Sequence, residues 1–63
     1  MINYEMTYTF GDLDATVVFT NDSVEGVDIL HVYVGQGIDI LGALTVSQLD
    51  EVVFYANDFC LAA

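Results

Sequence analysis

Hydrophobic and polar residues alternate from the start of the chain. Ile2, Tyr4, Met6, Tyr8 and Phe10 interleave with Asn3, Glu5, Thr7 and Thr9, the period of two that sends successive side chains to opposite faces of a strand. After Gly11-Asp12 the alternation resumes, with Leu13, Ala15, Val17 and Phe19 set against Asp14, Thr16, Val18 and Thr20. Two such runs around a Gly-led dipeptide predict a hairpin over residues 2–20 with a two-residue type II′ or I′ turn. The turn dictates the pairing: Phe10 opposite Leu13, Tyr8 opposite Ala15, Met6 opposite Val17 and Tyr4 opposite Phe19. The other face then pairs Thr9 with Asp14, Thr7 with Thr16 and Glu5 with Val18, and a slip of one residue would mix the faces. The expected core face is Tyr4, Met6, Tyr8, Phe10, Leu13, Val17 and Phe19.

Thr20 to Gly26 reads as a polar loop with turn chemistry from Asn21, Asp22 and Gly26. A third strand is expected over 27–34, rich in β-branched and aromatic residues. Its two faces, Val27-Ile29-His31-Tyr33 and Asp28-Leu30-Val32-Val34, are both largely apolar. Such a strand is either covered on both sides or part of an association surface. Gly35-Gln36-Gly37 is a turn, and 38–41 has room for a short fourth strand. A helix follows over 47–61, with Ser47 as N-cap and Asp50 and Glu51 in its first turn, where the dipole favours anions. Leu49, Val52, Val53, Ala56, Phe59 and Cys60 keep the helical spacing of one buried face, and Gln48, Glu51, Tyr55 and Asp58 fall on or near the other. The fold class expected is α+β: one domain over 1–63, a small antiparallel sheet of three to four strands with one C-terminal helix packed on it.

Composition changes the picture through charge. In 63 residues there are ten Asp and Glu, no Lys and no Arg, a net charge of −10. The apolar fraction of 56% and a mean hydropathy of +0.59 exclude intrinsic disorder. A domain this small nevertheless buries only about 60% of its unfolded surface. Nothing in the chain grips phosphate, nucleic acid or an anionic membrane by charge, and an Arg clamp or a catalytic Lys is impossible. The single cysteine, Cys60, cannot form an internal disulfide and is expected as a small buried hydrophobe. No basic stretch followed by an apolar one opens the sequence, and no apolar run approaches the roughly 18 residues of a membrane span. A soluble cytoplasmic protein is expected.

Catalytic chemistry finds few parts. His31 is the only histidine, so a nucleophile–base–orienter set is out of reach, and a structural or interface imidazole is expected. Gly35-Gln36-Gly37 has no lysine behind it to make a phosphate cradle. One Cys and one His are too few for zinc. A calcium loop counted from Asp12 fails, because its sixth position is Val17 and its twelfth Ser23. Paired carboxylates can serve glycoside hydrolysis, but so short a chain has little room for a substrate cleft. No enzyme, cofactor or metal is expected.

The acids themselves are the candidate functional groups. Solubility needs a net charge of only about 2–8 on a small domain, and going beyond it without cations adds self-repulsion to a marginal core. A field of one sign attracts a basic surface and rejects acidic competitors. Residues two apart on one strand face lie roughly 6.5–7 Å apart and neighbouring strands about 4.8 Å, so carboxylates on a sheet can approximate phosphate spacing. The partner-binding candidates are Glu5, Asp12, Asp14, Asp22, Glu25, Asp28, Glu51 and Asp58, with the open sheet face and the 22–28 loop favoured.

In size, charge and compact β-plus-helix character the whole chain resembles the small acidic nucleic-acid mimics of phages and mobile elements. These include anti-CRISPR proteins, anti-restriction proteins and uracil-DNA glycosylase inhibitors. The resemblance is one of class and rests on no sequence motif. It implies an inhibitor that occupies a DNA- or RNA-binding site on a host defence protein, with an anti-CRISPR protein the favoured member. The implied partner is a basic nucleic-acid-binding host protein such as a CRISPR effector subunit, met in the cytoplasm of an infected bacterium, with no direct nucleic-acid or membrane contact. The alternative is a non-enzymatic protein–protein interaction module or obligate homodimer, suggested by strand 27–34 and by Phe54 and Tyr55 on the helix.

Overall fold

A computed structural model describes residues 3–62; Ile2, the first apolar position of the predicted hairpin, lies outside them. Strand β1 (Asn3–Phe10) and strand β2 (Leu13–Asp22) pair antiparallel in the register the turn dictates, from Tyr4 opposite Phe19 to Phe10 opposite Leu13. Gly11 takes φ 62° and no non-glycine residue among those described has positive φ, so the turn is type II′, the form that requires glycine first. Strand β2 runs two residues beyond the predicted hairpin and ends where the Asp22 carboxylate accepts the Val24 N–H at 2.7 Å, an Asx turn that reverses the chain. Strand β3 (Gly26–Val34) returns beside β2, and β4 (Ile38–Asp39) beside β3, in the order β1-β2-β3-β4.

The fourth strand is shorter than the expected 38–41, and Asp39 is the cause. Its carboxylate accepts the Val32 N–H at 3.2 Å and the Leu41 N–H at 3.0 Å, and it pairs with His31 Nδ1 at 2.9 Å. Capturing the Leu41 N–H bends the chain out of the ladder into a single 3₁₀ turn over Leu41–Ala43. Ile40, Leu41 and Leu44 then pack against the core.

The two-faced strand of the sequence is resolved by a β-bulge. Val18 pairs with His31 but the next residue, Phe19, pairs with Ile29, leaving Leu30 as the extra residue in β3. An extra residue reverses the alternation beyond it. Val27 and Ile29 therefore share the covered side with Val32 and Val34, while Asp28 and His31 stay exposed. Strand β3 does not present two apolar faces. Of the two features that suggested a homodimer, strand 27–34 thus carries one apolar face rather than two, while Phe54 and Tyr55 are exposed on the helix.

The helix α1 (Val46–Ala62) closes the covered side. Its N-cap is Thr45, not Ser47: the Thr45 hydroxyl accepts the Gln48 N–H at 3.1 Å and the Gln48 side chain accepts the Thr45 N–H at 2.9 Å. This is a capping box. Leu44 and Leu49 fall at the two positions of a hydrophobic staple around it. Ser47 is thus the second helical residue, and Asp50 and Glu51 lie past the first turn rather than in it. Val52 and Ala56 are buried against Met6, Ala15, Val17, Phe19 and Val32, with Cys60 half-buried beside them. Two expected core residues sit further out. Leu13, at the hairpin tip, is 48% exposed, and Phe59 is 41% exposed, touching Phe19 edge-on at 6.1 Å between ring centroids. The result is an α+β fold with one covered and one open sheet face. No helix among the described residues is long and apolar enough to cross a membrane.

Two stability measurements check this arrangement. Phe19 is fully buried, so Phe19→Ala is expected to cost about 3–5 kcal/mol in urea unfolding, most of what so small a domain has. Thr16→Ala on the open face is expected to stay within about 0.5 kcal/mol; equal losses would overturn the register. Thr45→Ala is expected to cost about 0.5–2 kcal/mol, with Ser47→Ala close to neutral, and the reverse order would move the cap back to Ser47.

Candidate functional site

The candidate carboxylates separate into three groups by element. On the open sheet face, Glu5 comes from β1, Asp14 from β2 and Asp28 from β3, joined by Asp39 of β4. At one end of the sheet Asp12 occupies the β1–β2 turn beside Asp14, whose carboxylate accepts the Thr9 hydroxyl at 3.1 Å. At the other end Asp22 and Glu25 flank the β2–β3 turn next to Asp28. Glu51 and Asp58 belong to α1, the layer behind the sheet.

The pairing corrects the expected spacing. No strand carries two open-face acids two residues apart, so the step of consecutive phosphates is not reproduced along any strand. From the registers, Glu5 to Asp28 is two residues along and two strands across, about 12 Å, and Asp14 to Asp39 is the same, while Glu5 to Asp14 is about 14 Å. These are separations on the scale of a major-groove width, about 12 Å. The middle of the face is not acidic: Val18 pairs with His31 there, and His31 stacks on Tyr33 at 5.2 Å with 20° between rings.

Asp39 was absent from the sequence-derived set, and its role is structural. Hydrogen bonds from His31, then Leu41 and Val32, hold its carboxyl below the usual range. Among the described residues, its contact with His31 is the one ion pair. The sequence carried only a faint sign of this clamp, an acid just after a Gly-x-Gly turn that folds it back toward His31.

Glu51, Tyr55 and Asp58 do not face away from the sheet as the helical spacing suggested. They follow one stripe of α1 along the outer strand β1. Hydrogen bonding to the Glu51 carboxylate, with burial and the negative charge behind it, pushes the Tyr8 phenol up to about 12. The Tyr55 ring lies 5.2 Å from that of Tyr8, which in turn meets Phe10 edge-on at 4.7 Å. Between α1 and β1 runs an open groove of about 360 Å³, lined by Met6, Thr7, Tyr8, Tyr55, Asp58 and Phe59. A second cleft of about 250 Å³ opens between β3 and the start of α1, with Val27, Ile29, Leu49 and Val53 on its walls. Phe54 and Leu61, exposed and outside this groove, leave α1 with apolar side chains on its outer side as well.

His31 lies on the open face and Cys60 packs into the core on the other side of the sheet, so the two do not form a nucleophile–base pair. No three His, Cys, Asp or Glu side chains among the described residues gather as a metal site would require. What the surface offers is carboxylate without cation on every side, interrupted by aromatic rings. No family model matches the chain, and no curated protein or solved structure matches it either.

The Tyr8–Glu51 contact has a measurable signature. A phenol raised from its ordinary value near 10 to about 12 favours the folded state fully below pH 10 and loses that contribution as pH rises to 12. Tyrosinate absorbance, with Tyr8→Phe identifying the phenol, is expected to show this late titration. Glu51→Gln is expected to move it down toward the ordinary value, and an unchanged midpoint would place Glu51 away from the hydroxyl.

Proposed function

We propose that this protein is a non-enzymatic inhibitor that occupies the basic nucleic-acid-binding site of a host defence protein by presenting carboxylates in place of phosphates, a CRISPR effector subunit being the favoured target. The observation that carries this reading is linear charge density. Ten carboxylates, all within the described residues, are spread over a body 31 Å long, one per roughly 3.1 Å. One strand of duplex DNA carries one charge per about 3.4 Å and the two strands together one per about 1.7 Å. The protein therefore matches a single strand in charge per unit length and carries no cation to weaken the field. Its length is also just short of one duplex turn, about 34 Å.

The placement of the acids supports the same reading. Asp12 with Asp14, and Asp22 with Glu25 and Asp28, stand at opposite ends of the sheet. A basic channel shaped for a helical turn meets charge at entry and exit, and the Glu5–Asp28 and Asp14–Asp39 separations resemble a groove's width rather than its repeat. Strands hold Glu5, Asp14, Asp22, Asp28 and Asp39 on a fixed frame, so little ordering is lost there on binding. A large exposed charge of one sign also raises the association rate with a basic partner.

The test is competition. Excess duplex or guide RNA is expected to displace the protein from its target, and binding is expected to weaken steeply from low to physiological salt, because exposed pairs are screened over about 8 Å. Glu5→Gln with Asp14→Asn and Asp28→Asn is expected to lower affinity in cumulative small steps, each worth no more than about 1 kcal/mol. Glu51→Gln with Asp58→Asn is expected to matter less to this competition. Binding that is indifferent to both salt and excess nucleic acid overturns the proposal.

A further inference from the structure

Among the described residues, the outer strand β1 has no strand partner on its free side. It is eight residues long and the sheet order leaves it at the edge. In a two-residue hairpin the residues closing the turn, here Phe10 and Leu13, exchange backbone hydrogen bonds, and the pattern repeats every second residue. Tyr4, Met6, Tyr8 and Phe10 therefore turn their N–H and C=O groups to β2. Asn3, Glu5, Thr7 and Thr9 turn theirs outward. Among the described residues, no backbone group beyond β2 bonds to these outward positions.

Edge strands are commonly guarded by lysine, proline or a bulge. The sequence contains neither Lys nor Pro, and the bulge is in β3. The single guard on β1 is Glu5, and it is a selective one. It repels a second copy of this chain, which brings its own Glu5 and a charge of −10, and it attracts a cationic strand.

The groove beside β1 makes the same choice. Met6, Thr7 and Tyr8 form its strand wall, Tyr55, Asp58 and Phe59 its helix wall, and its volume is about 360 Å³, the low end of the range for small-ligand sites. That is room for side chains of an extended segment rather than for a folded surface. Three aromatic rings and one carboxylate are the surroundings that suit a guanidinium or ammonium group, which gains from ring faces within about 6 Å and from a charge-assisted hydrogen bond. We infer that the free edge of β1 and the Tyr8–Tyr55–Asp58–Phe59 groove together bind an extended, arginine- or lysine-bearing segment of a partner protein by strand addition. The β1 backbone supplies the pairing, and the groove takes the cationic side chains on one face of the added strand. This surface is not the open sheet face, and it does not require that the partner bind nucleic acid, so the two proposals fail separately.

The experiment uses the intact protein and a short peptide of alternating Arg and Val, followed by amide chemical shifts. Binding is expected to move the amides of β1 together with those of Tyr55 and Asp58. A peptide of alternating Arg and Pro, equal in charge but with proline at each position whose N–H would face β1 when the arginines enter the groove, is expected not to bind in this way. Thr7→Pro removes one outward N–H while leaving the β1–β2 ladder intact, and is expected to abolish binding where Thr7→Ala retains it. Asp58→Asn, which does not touch the backbone, is expected to weaken it by about tenfold or more, and Tyr55→Ala several-fold. If the Arg-Pro peptide binds as well as Arg-Val, or if the shifts map instead to Asp14, Asp28 and His31, the attraction is charge alone and strand addition is wrong. Should Thr7→Pro prove unfolded by circular dichroism, the Asp58→Asn affinity and the Arg-Pro comparison decide the matter.

Discussion

The extra residue at Leu30 sets which side of this sheet is the core, because it lets both halves of β3 put their aliphatic side chains on the side that α1 covers. Without it, Val32 and Val34 would face the helix while Val27 and Ile29 faced water. Phe19, fully buried, pairs across from Ile29 at the point where the register shifts. So much of the apolar surface of a small domain could not be left exposed on the far side. The same reversal sends Asp28 to the open face. The composition of the core and the placement of Asp28 on the open face are therefore both consequences of one local irregularity.

A chain without lysine or arginine must satisfy its carboxylates in another way, and it turns them on the backbone. Asp22 accepts an N–H at the β2–β3 turn, and Asp39 accepts two between β3 and the 3₁₀ turn. Gln48 does the same with a neutral amide at the head of the helix. Such bonds hold the chain reversals without lowering the net charge. The Glu51 carboxylate lies by the Tyr8 phenol, again a neutral group, and raises its pKa. The architecture is thus compatible with a surface of one sign, because no structural joint in it depends on a salt bridge except the single His31–Asp39 contact among the described residues.

How much of this was legible in the sequence depends on whether one reading or two satisfied the same local rule. The first hairpin had one: strict alternation and a Gly-led turn agree only in the register found. In β3 two readings competed, because Val, Ile and Leu occupy both parities and a bulge leaves no residue-type mark there. At the helix start, Thr45-x-x-Gln48 and Ser47-x-x-Asp50 both resemble caps. The contest is decided by Leu44 and Leu49, whose spacing fits a staple around Thr45. For the site, the number and sign of the acids were plain from composition. Their grouping was not, since the helical phase that brings Glu51, Tyr55 and Asp58 alongside β1 depends on how α1 is docked, which no local pattern encodes.

The strand order has a kinetic side. Each strand pairs with its neighbour in sequence across turns as short as Gly11-Asp12, Ser23–Glu25 and Gly35–Gly37, so sheet assembly closes only small loops and loses little chain entropy at each step. Docking of α1 is different in kind, since it brings Val52 and Ala56 onto Met6 and Val17 from far along the chain. The short turns favour pairing of neighbouring strands, whereas every core contact of α1 spans a long stretch of chain. When the helix lifts, the inner faces of β1 and β2 and the groove beside Tyr8 are lost in the same motion. A groove whose second wall is this one helix exists only while the helix is docked, so any segment inferred to bind there depends on that single packing contact.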